Sequence, residues 1–324
     1  MTVRTETRTI LAGPEATAAA VRVLSGGGLV AFPTETVYGL GADATNAQAV
    51  ARIYLAKGRP SFNPLISHVA DLGAARRIAI FNADAERLAK AFWPGPLTLV
   101  LPRATSCPVA ELSTAGLETI AVRVPSHPVA RDILQAFGKP VVAPSANVSG
   151  HVSPTTAQHV QADLAGRIDL IVDGGPAQVG VESTVVGCFE RPLLLRPGGL
   201  ARADIEAVLG THLADVPHDE TAQPLAPGMM SSHYAPRSPV RLNATTLEPG
   251  EALLAFGSSA VAGVDKAAAV LNLSPRGDLV EAAANLFGQL RSLDAVGAKQ
   301  IAVMPIPNEG LGEAINDRLR RAAV

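Results

Sequence analysis

The sequence predicts an α/β protein: a twisted mixed sheet with flanking helices, then a smaller Rossmann-like α/β domain. Three observations carry that expectation. Short apolar runs alternate with helical patterns along nearly all of the chain. Of its 324 residues, 48% are hydrophobic but only 4% aromatic, and 29 Gly and 25 Pro punctuate it, a balance suited to helices packed on a sheet. The length suits two domains, or one large one with an appendage.

The elements follow in order. Pro14 to Ser25, with Val21 and Leu24 apolar, reads as a helix stopped by Gly26-Gly27-Gly28. The triple glycine precedes a strand and no GxxxxGK[ST] follows, so it is a helix terminator rather than a phosphate loop. The apolar run Leu29–Phe32 is a strand that breaks at Pro33 and delivers Thr34, Glu35 and Thr36 to its end. A helix from about Asn46 stops at Gly58 and Pro60 and leaves Lys57 and Arg59 at its carboxyl end. Pro64–Val69, the next apolar run, carries His68. Helices are expected at Leu72–Ile78, Ala83–Phe92, Pro128–Phe137, Thr156–Leu164 and Asp204–Leu209. Strands are expected at Leu97–Leu101, Ile120–Val124, Val141–Ala143, Leu170–Val172, Thr184–Phe189 and Leu193–Arg196.

This pattern defines a first domain over residues 1–210. Residues 211–239 hold Pro217, Pro224, Pro227, Pro236 and Pro239 without sustained periodicity, as expected of a linker. Met229, Met230, His233 and Tyr234 cluster there, so part of the linker is expected to dock on the first domain as a lid or a tether. Residues 240–324 alternate strands near Val240–Leu242, Leu253–Phe256, Ala268–Leu271 and Ile301–Met304 with helices near Leu279–Leu293 and Leu311–Ala322. No GxGxxG follows the first of these strands, which argues against a nucleotide site in this half-Rossmann unit.

A formal charge of −2 supplies no global basic field, so any RNA contact is local and not primary. The only cysteines, Cys107 and Cys188, form neither a disulfide framework nor a CxxC pair, which favours a reducing compartment. No apolar stretch reaches bilayer length, and the start has no long apolar h-region. The expectation is a soluble cytoplasmic protein.

The polar residues gather on loops around strands, where open α/β sheets bind ligands. Lys57-Gly58-Arg59 either complements a helix dipole or clamps phosphate, with Arg as a planar fork and Lys as a mobile point charge. The loop Pro144-Ser145-Ala146-Asn147-Val148-Ser149-Gly150, followed by Ser153-Pro154, is either a turn or a ring of neutral donors for phosphate.

Taken in order, PTETVYGL, KGRP with NPLISH, AVRVP, PSANVSG, VESTVV and RPG resemble the threonylcarbamoyl-AMP synthase family, the YrdC-like enzymes. The later PGMMSSHYAP resembles the linker of its two-domain form, so the resemblance spans essentially the whole chain. It implies a nucleotidyltransferase making threonylcarbamoyl-AMP, pyrophosphate and water from L-threonine, bicarbonate and ATP. The product then serves a transferase complex that modifies adenosine in tRNA. It also implies that Thr36, His68, Arg123, Ser183 and the backbone at Ala143 contact threonine. Lys57, Arg59, Asn63, Thr119, Ser145, Asn147, Ser153, Arg196 and Tyr234 would hold ATP, with Lys57 and Arg59 the catalytic clamp and Mg²⁺ held mainly by the nucleotide.

These residue types suit such substrates. Arg123 is able to bind a carboxylate bidentately, and Lys57, Arg59 and Arg196 suit a triphosphate. Glu35 and Glu182 are candidate bases, with loop organisation their favoured role, so catalysis would rest on positioning and charge stabilisation. The alternative is an RNA-binding or regulatory module of the same modification machinery, against which the near-neutral charge and scarce aromatics argue. A carbamoyl-adenylating domain of the hydrogenase-maturation type would bring zinc fingers, which two isolated cysteines cannot build.

Overall fold

A computed structural model describes residues 5–216, 234–258 and 261–324. Strands β1 (Arg8–Leu11), β2 (Val30–Pro33), β3 (Tyr38–Asp43), β4 (Ile66–His68), β5 (Leu97–Pro102), β6 (Thr119–Arg123), β7 (Val141–Val142), β8 (Leu170–Asp173), β9 (Thr184–Cys188), β10 (Pro192–Arg196) and β11 (Ala214–Asp215) form one mixed sheet. Their spatial order is β1-β8-β2-β3-β7-β4-β6-β5-β9-β10-β11. Helices, among them Pro14–Ser25, Ala47–Lys57, Ala83–Phe92 and Pro128–Phe137, bury small and branched apolar residues against it. A second sheet holds β12 (Val240–Arg241), β13 (Glu251–Ala255), β14 (Ala269–Asn272) and β15 (Gln300–Val303), all parallel, in the order β12-β15-β13-β14.

Two local decisions place the site. The helix Ala47–Lys57 starts where the Asn46 side chain accepts from the backbone N–H groups of Gln48 and Ala49, satisfying otherwise orphaned donors. It ends at Gly58, whose φ of 62° is the left-handed conformation that favours glycine, and the turn there swings Arg59 away from the helix. In the sheet, His68 of β4 is the register partner of Arg123 in β6, so an imidazole and a guanidinium lie side by side at the strand ends.

Strand β3 was not expected from the sequence. All six of its residues are buried, so it shows no apolar–polar alternation, and glycines interrupt it. The glycines answer to packing: a Cβ on Gly41 would lie 2.6 Å from the Phe32 ring, and one on Gly39 3.2 Å from Cβ of Ala143. β3 runs antiparallel to β2, so Thr34 to Val37 is the turn of a hairpin rather than a loop leading to the next helix. The short strands β1 and β11 also escape the pattern; β1 is largely exposed and β11 has only two residues.

The second sheet is joined to the first by a shared core. Leu286, Phe287 and Leu290 of the helix Leu279–Val296, with Ile315 and Leu319 of the helix Gly312–Ala322, pack in one apolar cluster with Val37, Val152 and Val181 from loops of the first sheet. Around it, Arg291 pairs with Asp163 at 2.8 Å and Arg202 with Glu313 at 2.7 Å. Gly180 sits directly against the helix Leu279–Val296, where any side chain would meet the Ala283 carbonyl. Of the linker cluster, Met229, Met230 and His233 lie outside the described residues, while Tyr234 is described. No described helix is long and apolar enough to cross a membrane.

Candidate active site

At the β4 and β6 strand ends a cavity opens, with about 560 Å³ of atom-free space including its mouth. The hairpin turn forms one wall. The Arg123 Nη1 donates to Thr36 Oγ1 at 3.0 Å, and the Thr36 and Thr34 hydroxyls lie 2.8 Å apart. Because the Thr34 hydroxyl donates to the Val37 carbonyl at 2.6 Å, the donor order runs from Arg123 through Thr36 to Thr34. Glu35, between the two threonines, turns back and accepts from Arg123 Nη2 at 2.6 Å. Burial alone would raise its carboxyl pKa; the charge and hydrogen bond of Arg123 outweigh that and hold it below the usual range.

His68 is 2% exposed. Burial, reinforced by Arg123, pushes its pKa down to about 3, so the ring is neutral at physiological pH. Its Nδ1 lies 3.2 Å from the Ile66 carbonyl, with the Val141 carbonyl a second acceptor near the ring, and the tautomer protonated on Nδ1 satisfies the former. That leaves Nε2 as an acceptor for a donor entering the cavity. Ser183 lies opposite, its hydroxyl 2.7 Å from that of Thr98 and its carbonyl accepting from Arg196 Nη2 at 2.8 Å.

The cavity also carries a cationic group. Arg59 and Arg196 both line it and are buried. Arg59 donates to the carbonyls of Asn63 and Pro64 and has no carboxylate partner among the described residues. Burial brings its pKa down to about 10, still protonated near neutrality. Ser145 of the PSANVSG loop and Tyr234 also line the cavity. The Tyr234 ring stacks on Phe287 with centroids 5.6 Å apart, and the Arg318 guanidinium lies 5.2 Å from its centre.

The cavity thus gathers Thr36, Arg59, His68, Arg123, Ala143, Ser145, Ser183, Arg196 and Tyr234 from the residues singled out in the sequence. Lys57, Asn63, Thr119, Asn147 and Ser153 do not line it. Lys57 stands apart from the lining residues. Its Nζ, 2% exposed as a residue, donates to the carbonyls of Ser145 at 2.5 Å and Asn147 at 2.6 Å, behind the loop rather than toward the cavity. The reason is reach: the last helical turn aims Lys57 under the loop, and only beyond Gly58 does the chain swing Arg59 to the front. Burial, then the nearby Arg59, lowers its pKa well below the usual lysine range. Asn147 is also structural, its amide donating to the carbonyls of Val148 and His151 at 2.8 Å each. Asn63 offers its carbonyl to Arg59, and Thr119 starts β6 opposite Pro102. Ser153 reaches the cavity only through Glu182, to which it donates at 2.5 Å.

Glu182, for which the sequence favours loop organisation over a role as base, lines the cavity. Its second oxygen accepts from Arg318 Nε at 2.8 Å. Burial would raise this carboxyl, but Arg318, then Arg196, together with the Ser153 hydroxyl, bring it down to about 2. A carboxylate held that low is a poor proton acceptor, so neither Glu35 nor Glu182 suits general-base work. Arg318 itself escaped sequence reading. The available signal was its position: it falls on the stripe Ala314, Ile315, Leu319 and Ala322 that faces inward, where a charge needs a buried partner.

Residues 22–198 match the Sua5/YciO/YrdC family, described as "Telomere recombination", and residues 200–324 match "Threonylcarbamoyl-AMP synthase, C-terminal domain". The chain belongs to the Sua5/YciO/YrdC family. Its relatives include the threonylcarbamoyl-AMP synthase of Bacillus subtilis, 45% identical over 91% of this chain and 89% of that protein. The threonylcarbamoyl-AMP synthase of Pyrococcus abyssi is 44% identical over 94% of each. The fold matches the crystal structure of P. abyssi Sua5 complexed with L-threonine at a TM-score of 0.89, with 39% identity and 98% of each chain covered. E. coli YciO, another solved member, covers 60% of this chain and 96% of its own at a TM-score of 0.55 and 25% identity. The second sheet and its helices therefore separate the longer form of this family from the shorter.

Proposed function

We propose that the protein is a threonylcarbamoyl-AMP synthase, a nucleotidyltransferase that converts L-threonine, bicarbonate and ATP to threonylcarbamoyl-AMP, pyrophosphate and water. One observation carries this reading: a single cavity is lined by a neutral histidine, hydroxyls and the paired Arg123 together with the buried Arg59 and Arg196. The names of the relatives agree with it, and the P. abyssi relative was solved with L-threonine.

Arg123, held flat by Glu35 and Thr36, would take the threonine carboxylate through its remaining N–H groups. His68 Nε2 would accept from the threonine hydroxyl or amine, and Ser183 would supply a further neutral partner. Arg59, Arg196, Ser145 and Tyr234 would hold the nucleotide. Bicarbonate carboxylates the threonine amine with loss of water; the carbamate oxygen then attacks the α-phosphorus in line and pyrophosphate leaves. No side chain forms a covalent bond in this scheme. Positioning and charge stabilisation supply the acceleration, and the buried site protects the labile carbamate from water.

The donor set fits Mg²⁺ that arrives on the phosphates rather than a metal held by protein. Glu182, which lines the cavity, is engaged by Arg318, and Glu35, turned back from the cavity, by Arg123. Bound to the triphosphate, Mg²⁺ would neutralise charge that Arg59 and Arg196 do not reach. The product would pass to a transferase complex that modifies tRNA adenosine, and the setting is the cytoplasm, in keeping with the free thiols of Cys107 and Cys188. A pyrophosphate-release assay with ATP, bicarbonate and threonine omitted in turn tests the reading. Release requiring all three is expected; release that persists without threonine overturns it.

A further inference from the structure

The C-terminal helix Gly312–Ala322 places one residue directly behind the cavity lining, against Glu182 and Tyr234, and its surroundings set it apart from the other contacts between the two sheets. Arg318 is fully buried. Its Nε donates to Glu182 at 2.8 Å and its Nη1 to Asp317 at 2.5 Å, and its plane lies over the Tyr234 ring at 5.2 Å. Glu182 in turn accepts from Ser153, and both Glu182 and Tyr234 line the cavity. Arg318 Nη2 is buried and has no hydrogen-bond partner among the described residues. By contrast, Arg291 and Arg202, which also bridge the two sheets, are partly exposed and pair with Asp163 and Glu313, neither of which lines the cavity.

This arrangement solves an electrostatic problem. A carboxylate in the wall of an anion site repels its ligand unless its charge is compensated. Arg318 supplies that compensation from behind, and its planar fork fixes the carboxylate and the tyrosine ring at once. From this geometry, and resting on the reading of the cavity as an ATP site, we propose that Arg318 is a positioning residue for the nucleotide. It acts through Glu182 and Tyr234 and makes the C-terminal domain a working part of the active site. The domain is then more than an appendage for partners: without it Glu182 would lose its one ion-pair partner and draw on Arg196, a cation the phosphates need.

The full-length protein tests this by equilibrium titration with ATP and Mg²⁺, and separately with L-threonine, for wild type, Arg318→Met, Glu182→Gln with Arg318→Met, and Arg202→Ala. Met replaces the arginine with an uncharged side chain of comparable length. The ATP dissociation constant is expected to rise at least about tenfold in Arg318→Met, because a buried charge has lost its partner. The constant for threonine should stay within about twofold, since Arg318 touches none of the residues proposed to hold threonine. The double variant should recover most of the lost ATP affinity, as the neutral amide no longer repels phosphate. In Arg318→Met alone, ATP binding should weaken as pH rises through the freed carboxyl's titration, a dependence that loosened packing would not create. Arg202→Ala, which cuts a contact between the sheets far from the cavity wall, should leave both constants unchanged.

Unchanged ATP affinity in Arg318→Met, absence of recovery in the double variant, or an equal loss in Arg202→Ala would each overturn the proposal. Wild type that binds no ATP would do so as well. Wild type that binds ATP with this pattern but releases no pyrophosphate would instead overturn the synthase reading and leave the role of Arg318 standing.

Discussion

Gly180 offers the sharpest mechanical test of the contact between the two sheets. Its φ is +78°, and a Cβ there would lie 2.3 Å from the Ala283 carbonyl oxygen and 2.4 Å from the Ala284 Cα. Gly180→Ala therefore meets two costs. The left-handed backbone costs a non-glycine residue about 1–2 kcal/mol. The overlap is with helix backbone rather than a side chain that swings aside, so the helix Leu279–Val296 must retreat by on the order of 1 Å, at about 1–3 kcal/mol. The sum, about 2–5 kcal/mol, is a large share of the stability of an ordinary domain. The retreat also draws Phe287 away from Tyr234, whose ring it holds at 5.6 Å. Urea unfolding followed by intrinsic fluorescence, with pyrophosphate release in parallel, measures both effects. The midpoint should fall, and turnover at limiting ATP should fall further than the loss of folded protein explains. A variant within about 0.5 kcal/mol of wild type with normal turnover would refute the close docking on which these numbers rest.

Three other outcomes follow from the site. Arg59→Ala should lower turnover by about 10²-fold or more, further than its loss of stability explains, because it removes a cation lining the cavity as well as the donor to the Asn63 and Pro64 carbonyls; thermal melting by circular dichroism and pyrophosphate release separate the two effects. Lys57→Met should behave differently, lowering stability by about 2–4 kcal/mol as the Ser145 and Asn147 carbonyls lose a buried charged donor, which thermal melting reads directly. Stability should fall as the solution is acidified. Glu182 has its pKa lowered from 4.5 to about 2, so its contribution is present above pH 4.5 and is lost as pH falls toward 2; it is worth on the order of 3 kcal/mol. His68, lowered from 6.5 to about 3, adds a loss of the same sign that begins as pH falls below 6.5, because the unfolded chain takes up the proton first. Urea midpoints should decline from pH 6.5 down to pH 3, and the part of the decline below pH 4.5 should be shallower in Glu182→Gln.

Much of the fold was legible because it is written locally. The helix Ala47–Lys57 carries its own cap at Asn46 and its own stop at Gly58, and the helices Ala83–Phe92 and Pro128–Phe137 have the bounds that their periodicity predicts. Strand β3 was illegible because it is buried throughout and broken by glycines whose purpose is contact with Phe32 and Ala143, residues remote in the sequence or on another strand. The site divides in the same way. His68, Arg123, Ser145, Ser183 and Arg196 stand at the ends of readable strands, and the structure brings them to one cavity. Lys57 looked like the twin of Arg59, but a single left-handed residue between them sends one behind the loop and the other in front.

What the chain determined by itself was the alternation of strands and helices, the strand-end placement of its polar residues and the family whose motifs those residues form. Local hydrogen bonding and the spacing of apolar residues suffice for that. What only the tertiary structure decided was direction and compensation: which cation lines the cavity, which carboxylates are neutralised, and that Arg318, 136 residues beyond Glu182, pairs with it behind the lining. Burial makes such pairings matter, since a charge out of water must find its partner wherever the fold provides one, and no pattern of neighbours along the chain records where that is.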